Sequence, residues 1–255
     1  MKKKHTILVV GKNGRLGSSI IKRMVYSRFY RQFNVISAGR NDDLVPLVAE
    51  ASVIVIAVKG DDFRAVAQNL NGRLSSKQLL ISLVSGKIGK SVSTLCGTTS
   101  VVCATTSIGV EIGKGFTSWF APCGLTPAHR RLANKVFQNW GKHEEESSDD
   151  AVLKSVFDIG VILGILAADA KINAEMSAAT TKREVDRERQ KVIHAMDTIV
   201  CLERAGHTFE EIIRGVVTPD GITDLTLAES CPSIEAAKAK GFKLGYEKLC
   251  SLSEA

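Results

Sequence analysis

The sequence predicts an α/β protein, with a doubly wound parallel sheet in its first half and an all-helical domain in its second half. Five short apolar runs alternate with helical stretches before residue 105. Continuous apolar runs separated by helices are typical of parallel strands that helices cover on both faces. A turn with three glycines follows the first run, and no comparable series of strands follows residue 150.

The predicted strands follow one another along the chain and leave room for a helix in each gap. The strands are ILVV (7–10), FNVIS (33–37), SVIVIAV (52–58), QLLISLV (78–84) and SVVCA (100–104), and the helices between them are 18–30, 42–50, 61–70 and 87–95. FTSWFA (116–121) is a candidate for one more strand, and PAHRRLANKVFQNW (127–140) for a further helix. This alternation predicts the doubly wound architecture.

The second half is predicted to be helical, and its helices need a surface on which to pack. Residues 143–150, HEEESSDD, are polar and acidic, so we expect them at the surface and place the boundary between domains 1–147 and 148–255 there. The predicted helices are 180–205, 208–215 and 233–250. Because a helix must bury its apolar stripe to be stable, a homodimer or higher homo-oligomer is favoured. Docking on the first domain is the alternative.

Composition excludes several classes of function. The chain carries a net charge of +7, yet its Lys and Arg are mostly dispersed and only 5% of its residues are aromatic, so nucleic-acid binding is not predicted. No apolar stretch approaches the roughly 20 residues of a membrane span, and the apolar run 6–10 is too short for a secretory leader. The six cysteines are scattered singly, which predicts a reduced, cytoplasmic protein without a metal site.

The turn GKNGRLG is predicted to bind a dinucleotide, which makes the sheet a Rossmann-type one. Gly11 permits the tight turn, Gly14 lets the backbone approach the pyrophosphate, and Gly17 lets the helix pack closely on the sheet. The helix N-terminus then supplies free N–H groups and a positive dipole to the phosphates. The alternative is that the glycines serve turn geometry alone. The cofactor residues predicted in this turn are Gly11, Asn13, Gly14, Arg15, Leu16 and Gly17.

The second strand favours NADP(H) over NAD(H). Dinucleotide-binding domains that prefer NAD carry an acid near the end of this strand to hold the ribose hydroxyls. Ser37 stands at that position here, and Arg40 follows closely where it could face a 2′-phosphate. Ser37 and Asn41 could add hydrogen bonds to this phosphate, while Asp42 and Asp43 are expected to cap the next helix. The alternative for Arg40 is a solvated loop arginine.

The third predicted strand ends in AVKG, and the carboxyl ends of parallel strands face the ligand crevice. Ala57, Val58 and Lys59 are therefore expected beside the cofactor.

Three segments together resemble pyrroline-5-carboxylate reductases. AVKG (57–60) is similar to the AVKP that ends the family's third strand, ISLVSG (81–86) resembles its fourth strand, and VTPDGIT (217–223) resembles its substrate loop, TSPGGTT. The resemblance implies an NADPH-binding domain followed by a helical domain that intertwines in a dimer. It also implies an enzyme of proline biosynthesis that passes a hydride from NADPH to the C=N carbon of 1-pyrroline-5-carboxylate.

The resemblance further implies where the small-molecule substrate binds. Backbone N–H groups and hydroxyls of the 218–223 loop would hold its carboxylate, as expected of a loop that forms an anion nest. Thr223 falls at the family position that hydrogen-bonds the ring nitrogen, so it is the candidate catalytic residue. The candidate substrate-binding residues are Thr218, Asp220, Gly221, Thr223 and Ser107.

The chain departs from the family pattern mainly on the substrate side. The glycine turn is one residue longer than the family's GxGxxG. Cys103 stands where the family has an arginine, and TTSIG (105–109) stands where it has MPNTP, which puts Ser107 at the asparagine position. The GSGPA segment of the family is not visible near 154–164. Asp220 replaces a loop glycine, either as a turn residue or as a ligand for an ammonium group. These departures keep three alternatives open: another imine or ketone substrate, a non-catalytic NADP(H)-binding protein, or a β-hydroxyacid dehydrogenase with Lys171 or Lys154 as its catalytic lysine.

Overall fold

The computed structural model describes residues 5–27, 33–86, 89–156 and 181–216, together with scattered positions in 159–167 and 232–251. The chain divides into two compact units. One unit comprises Met1–Ile162 with Glu247–Ala255, and the other comprises Leu163–Tyr246. The domain boundary after residue 147 stays a prediction.

The first unit is built on a seven-stranded sheet in the order β2-β1-β3-β4-β5-β6-β7. Its strands are β1 (His5–Val10), β2 (Phe33–Ala38), β3 (Val53–Ile56), β4 (Leu79–Ser82), β5 (Val101–Thr106), β6 (Gly115–Phe120) and β7 (Gly141–Glu145). The first five strands pair in parallel, β6 runs antiparallel to β5, and β7 runs parallel to β6. The predicted doubly wound sheet is therefore confirmed, and so is the sixth strand.

Helices follow the strands closely. Those of the first unit are α1 (Arg15–Tyr26), α2 (Leu44–Glu50), α3 (Gly60–Leu70), α4 (Gly89–Cys96), α5 (Pro127–Trp140) and α6 (Asp149–Val156), with a short 3-10 helix at Ile108–Ile112. Local signals set several of their starts: Asp43 caps α2, and Thr126 caps α5, which has Pro127 in its first turn. The helix that follows the predicted domain boundary, α6, packs against β5 and β6.

Successive side chains of each strand point to opposite faces of the sheet, and each face has its own hydrophobic core. Ile7 and Val9 of β1 belong to the core closed by α1 and α5, whereas Leu8 and Val10 belong to the core closed by α2, α3 and α4. All four side chains are at most 3% exposed. Burying an aliphatic side chain of this size contributes roughly 1.5–3 kcal/mol. The continuous apolar runs in the sequence thus reflect burial on both faces.

None of residues 143–150 is buried, which agrees with their predicted place at the surface, but the sequence did not predict that the first of them form a strand. His143 and Glu145 lie in β7, where polar residues form the edge of the sheet. Sheet pairing with β6 makes this segment a strand, and the His143 ring packs on Phe137 of α5, with 5.9 Å between ring centroids. A polar edge strand exposes one side of its backbone, so its sequence lacks the apolar run that marks a central strand.

The second unit contains the helices α7 (Lys182–Arg204) and α8 (Phe209–Val216), and the scattered described residues between 232 and 244 are helical too. A capping box begins α7: the Thr181 hydroxyl accepts from the Glu184 backbone N–H, and the Glu184 carboxylate accepts from the Thr181 N–H at 2.9 Å. The helices predicted at 180–205 and 208–215 are confirmed. Within the described residues, no helix is both long and apolar enough to cross a membrane.

Candidate functional site

The glycine turn between β1 and α1 closes tightly through backbone hydrogen bonds. The N–H of Gly11 donates to Ala38 O at 2.8 Å, and the N–H of Gly14 donates to Gly11 O at 3.0 Å. Gly14 is the N-cap of α1 and offers no side chain to the amides of the first helical turn. These amides therefore remain suited to an external anion, which the positive end of the helix dipole also attracts.

Two of the three glycines are required by close backbone approaches. Gly11 adopts φ +102°, and a Cβ there would stand 2.5 Å from Ala57 O. A Cβ on Gly17 would stand 2.2 Å from Gly11 O, so only glycine lets α1 pack on the turn. A Cβ on Gly14 would stand 3.3 Å from the same oxygen, which is a much milder contact. The sequence assigned these roles to turn formation and helix packing, and the geometry agrees.

The turn forms one wall of a cavity of about 580 Å³ at the carboxyl ends of β1, β2 and β3. The predicted cofactor residues that line the cavity are Gly11, Asn13, Gly14, Arg40, Asn41, Ala57, Val58 and Lys59. Arg15, Leu16, Gly17 and Ser37 do not line it. Leu16 packs against the core instead, and Gly17 is buried. Most of the predicted constellation is thus brought together around one space.

The opposite wall of the cavity is the exposed face of α3, which sequence reasoning missed. Asp62, Ala65, Val66 and Asn69 all line the cavity. Their spacing of three, four and seven residues from Asp62 puts them on one helix face. This spacing is visible in the sequence, but it carries no sign that the face borders a cavity, because the buried stripe of α3 lies on other residues.

The cavity also contains acids among its cations. The Nη2 atom of Arg40 lies 2.9 Å from Oδ1 and 3.2 Å from Oδ2 of Asp62. Lys12 Nζ lies 2.6 Å from Asp42 Oδ2, and the Gly39 N–H donates to the same oxygen at 2.7 Å. These contacts hold the pKa of the Asp42 carboxyl below its ordinary value, the hydrogen bond from Lys12 first and that from Gly39 second. Asp42 therefore stays charged at neutral pH.

Asp43 caps α2 as the sequence predicts, by accepting from the Val45 N–H at 3.0 Å. Asp42 instead closes the loop after β2 through Gly39 and Lys12. Both acids line the cavity.

A second, much smaller cavity of about 20 Å³ lies where β4 and β5 end, against the start of α6. Ser82, Cys103 and Asp149 are among its lining residues. One Asp149 oxygen, Oδ2, accepts from the Gly89 N–H at 3.0 Å, while Oδ1 is buried without a hydrogen-bond partner. Burial is the main cause that raises the pKa of this carboxyl, and it also raises the pKa of the Cys103 thiol. A buried neutral thiol is a poor nucleophile, so Cys103 is a packing residue.

Ser107 follows β5 directly and is the N-cap of the 3-10 helix, without a side-chain cap hydrogen bond. It lines neither of these two cavities. The other predicted substrate residues lie outside the described residues, and so does Lys171. They are Thr218, Asp220, Gly221 and Thr223. No group of three or more metal-ligating side chains occurs in the part of the chain that the structure describes. The four cysteines described there, Cys96, Cys103, Cys123 and Cys201, are free.

Comparison with solved structures shows which fold this is. The chain is similar to pyrroline carboxylate reductase of Plasmodium falciparum, solved with NADP bound, at a TM-score of 0.80 and 17% identity over 98% of each chain. It is similar to 1-pyrroline-5-carboxylate reductase of Streptococcus pyogenes at a TM-score of 0.83 and 14% identity, over 96% of this chain and 98% of the other. It is also similar to a pyrroline-5-carboxylate reductase of Coxiella burnetii at a TM-score of 0.77 and 20% identity, over 99% of this chain and 100% of the other.

At these identities the likeness establishes a shared fold. The fold implied by the sequence resemblance, a Rossmann-type domain with a helical domain, is thereby confirmed. No protein-family model matches the sequence, and no curated protein matches it in sequence.

Proposed function

We propose that this protein is an NADP(H)-dependent reductase that transfers a hydride to the C=N bond of a cyclic imine, with 1-pyrroline-5-carboxylate as the first candidate substrate. The observation that carries the proposal is the cavity at the glycine turn, where Gly14 leaves the amides of the first turn of α1 open beside Arg40 and Lys59. An anionic dinucleotide matches this combination of amides, cations and glycine backbone. The reductases that share the fold, one of them solved with NADP bound, support the same cofactor class.

Different residues of the chain would bind the different parts of the cofactor and the substrate. The turn amides would bind the pyrophosphate, Arg40 would bind the 2′-phosphate through charge-assisted hydrogen bonds, and Ala57 and Val58 would flank the cofactor along β3. Thr223 and the 218–223 loop are proposed to hold the substrate, on the strength of the sequence resemblance alone. When bound, the nicotinamide supplies the hydride, and the protein positions the two reactants.

The direct test follows the oxidation of NADPH by purified protein at 340 nm with 1-pyrroline-5-carboxylate and with a panel of other cyclic imines and ketones. We expect substrate-dependent oxidation, and we expect Thr223→Ala to lower it while leaving NADPH affinity unchanged. Absence of turnover with every member of the panel would refute the reductase proposal.

A second candidate is a non-catalytic NADP(H)-binding protein. Its support is that the departures from the family pattern lie at Cys103, Ser107 and Asp220, on the substrate side, while the cofactor cavity is intact in the described residues. This candidate predicts NADPH affinity without turnover. We further propose a cytoplasmic homodimer or higher oligomer, since the described cysteines are free and helices α7 and α8 of the second unit expose apolar side chains.

A further inference from the structure

The 2′-phosphate end of the proposed cofactor site contains a carboxylate that the sequence pattern did not predict. Asp62 lies in the first turn of α3 and lines the same cavity as Arg40. The two residues are 22 positions apart in the chain, and both Asp62 oxygens lie within hydrogen-bond distance of Arg40 Nη2. We propose that Asp62 is a specificity-determining residue that competes with the 2′-phosphate for Arg40 and so limits the preference for NADPH over NADH. The inference rests on the proposed function.

Arg40 already has an anionic partner in Asp62. Its side chain is 81% exposed and that of Asp62 is 43% exposed, so the pair bridges the mouth of the cavity in contact with water. An exposed pair of this kind contributes little to stability. A phosphate can therefore displace Asp62 from Arg40 at small cost.

Displacement from Arg40 does not remove the charge of Asp62 from the cavity. A 2′-phosphate carries a charge between about −1.5 and −2 at neutral pH, and it would bind within a few ångströms of the carboxylate that it displaced. Asp42 and Asp43 line the same cavity, but Lys12 pairs with Asp42 and the Val45 N–H donates to Asp43. Asp62 is thus the acid whose cationic partner the phosphate would take.

NADH has a ribose hydroxyl where NADPH has the phosphate, so Asp62 would meet a different group in each cofactor. A carboxylate accepts hydrogen bonds from ribose hydroxyls, as the acid after the second strand does in many NAD-binding domains. Ser37 occupies that position here, and Asp62 offers a carboxylate from the opposite wall of the cavity. Asp62 therefore disfavours the phosphate and favours the hydroxyl.

An alternative role for Asp62 would be to orient Arg40 toward the phosphate. Only Nη2 contacts Asp62 among the described atoms, so the rest of the guanidinium could bind a phosphate at the same time. Because the pair is exposed, this orientation gains little, whereas the 2′-phosphate brings a charge of about −1.5 to −2 close to Asp62, so the repulsion is the larger of two solvent-screened effects. The two roles predict opposite signs for the effect of neutralising Asp62.

The test compares dissociation constants of NADPH and NADH by calorimetry for the wild type and for Asp62→Asn. We expect Asp62→Asn to bind NADPH roughly fivefold to tenfold more tightly and to bind NADH with equal or slightly lower affinity. The increase in preference for NADPH should shrink when salt is raised from 50 to 500 mM, since salt screens exposed charges. Circular dichroism spectra verify that the variant is folded.

Two further variants make the test specific. Asp61→Asn removes the same charge from the same turn of α3 but from a residue that does not line the cavity, and it should change the preference less than twofold. In an Arg40→Ala background, NADPH affinity should fall at least tenfold, and the gain from Asp62→Asn should fall to less than half of its wild-type size, because the competition is gone.

The outcomes separate the inference from the proposed function. If the wild type binds neither dinucleotide, the proposed function fails. If the wild type binds both dinucleotides, three results for Asp62→Asn would overturn the inference while the proposed function stands. These are a lower affinity for NADPH, an equal shift in the affinities for NADPH and NADH, and a change in preference no larger than that of Asp61→Asn. An equal gain from Asp62→Asn with and without Arg40 would also overturn it, since that indicates repulsion without competition.

Discussion

At the scale of single residues, the three glycines of the turn are needed for different physical reasons. Gly11 needs a positive φ, and Gly17 needs the absence of a Cβ against the Gly11 carbonyl. Gly14 has an ordinary extended conformation, with φ −76° and ψ 156°, and only a mild contact with the same carbonyl. Gly14 also lines the cavity, whereas Gly17 does not. We therefore expect Gly17 to determine stability and Gly14 to determine affinity.

This division can be measured with two alanine variants. Gly17→Ala should lower the free energy of unfolding by roughly 1–3 kcal/mol, because α1 must move away from the turn. Gly14→Ala should stay within about 1 kcal/mol of the wild type, yet bind NADPH at least tenfold more weakly because its methyl group meets the pyrophosphate. Urea unfolding and calorimetry give the two quantities. Equal stability losses in both variants would contradict the assignment.

At the scale of elements, one carboxylate joins the starts of two helices. Asp149 in the first turn of α6 accepts from the Gly89 N–H at the start of α4, 60 residues earlier in the chain. The second oxygen of Asp149 is buried without a hydrogen-bond partner. Burial first, and the neighbouring charge of Asp150 as well, raise the pKa of this carboxyl, although the Gly89 hydrogen bond opposes them. The contact therefore positions the two helices, but it removes part of the Asp149 carboxylate from water, which lowers stability when the group is charged.

The raised pKa gives the stability a pH dependence of definite sign. Because the folded protein binds this proton more tightly than the unfolded chain does, the contribution of Asp149 is most favourable below the ordinary pKa of an aspartate, about 3.9, and is lost as the pH rises through the folded pKa. Asp149→Asn should therefore raise Tm at pH 7 and not at pH 3, as measured by thermal unfolding. Asp61→Asn, which removes an exposed carboxylate from the first turn of α3, serves as the control, and a change in Tm for Asp149→Asn that is the same at both pH values would contradict the expectation.

At the scale of the whole molecule, the two units differ in how they bury apolar side chains. The sheet of the first unit feeds two cores whose members are almost fully buried. In the second unit, Ile193 and Val200 of α7 are 45% and 43% exposed, and Phe209 and Ile213 of α8 are 60% and 51% exposed. The members of each pair lie seven or four residues apart, so each pair shares a helix face. Such faces are usually covered in the functional assembly.

The proposed homodimer can be tested by light scattering coupled to gel filtration. We expect a mass of at least twice the 27.5 kDa of one chain for the wild type. Phe209→Asp should shift the protein toward the monomer, because it puts a charge on a buried interface. Tyr26→Asp, which alters an 86% exposed residue of α1 in the first unit, should leave the mass unchanged. A monomeric wild type would refute the proposal.

How much the sequence could predict depended on the range of the interactions involved. The central strands β1, β3 and β4 were predictable because their apolar runs are local patterns, and the turn at Gly11 was predictable because its glycines are close in sequence. The edge strand β7 was missed because hydrogen bonds to β6 make it a strand, and its own residues are polar. Of the site residues, Arg40 and Lys59 were predicted from their positions at strand ends, and the cavity includes both.

By itself the sequence determined the first six strands in their order along the chain, the burial of the central strands on both faces and the glycine turn, since each follows from the sterics and hydrophobicity of residues within a few positions of one another. Only the tertiary structure decided that Asp62 meets Arg40, that Asp149 meets Gly89 and that α3 forms a wall of the cavity. These contacts join residues 22 or 60 positions apart, and they depend on how helices pack on a twisted sheet, which no local pattern encodes. The charge balance of this cavity, on which we propose that the choice between NADPH and NADH depends, is therefore a property of the folded chain.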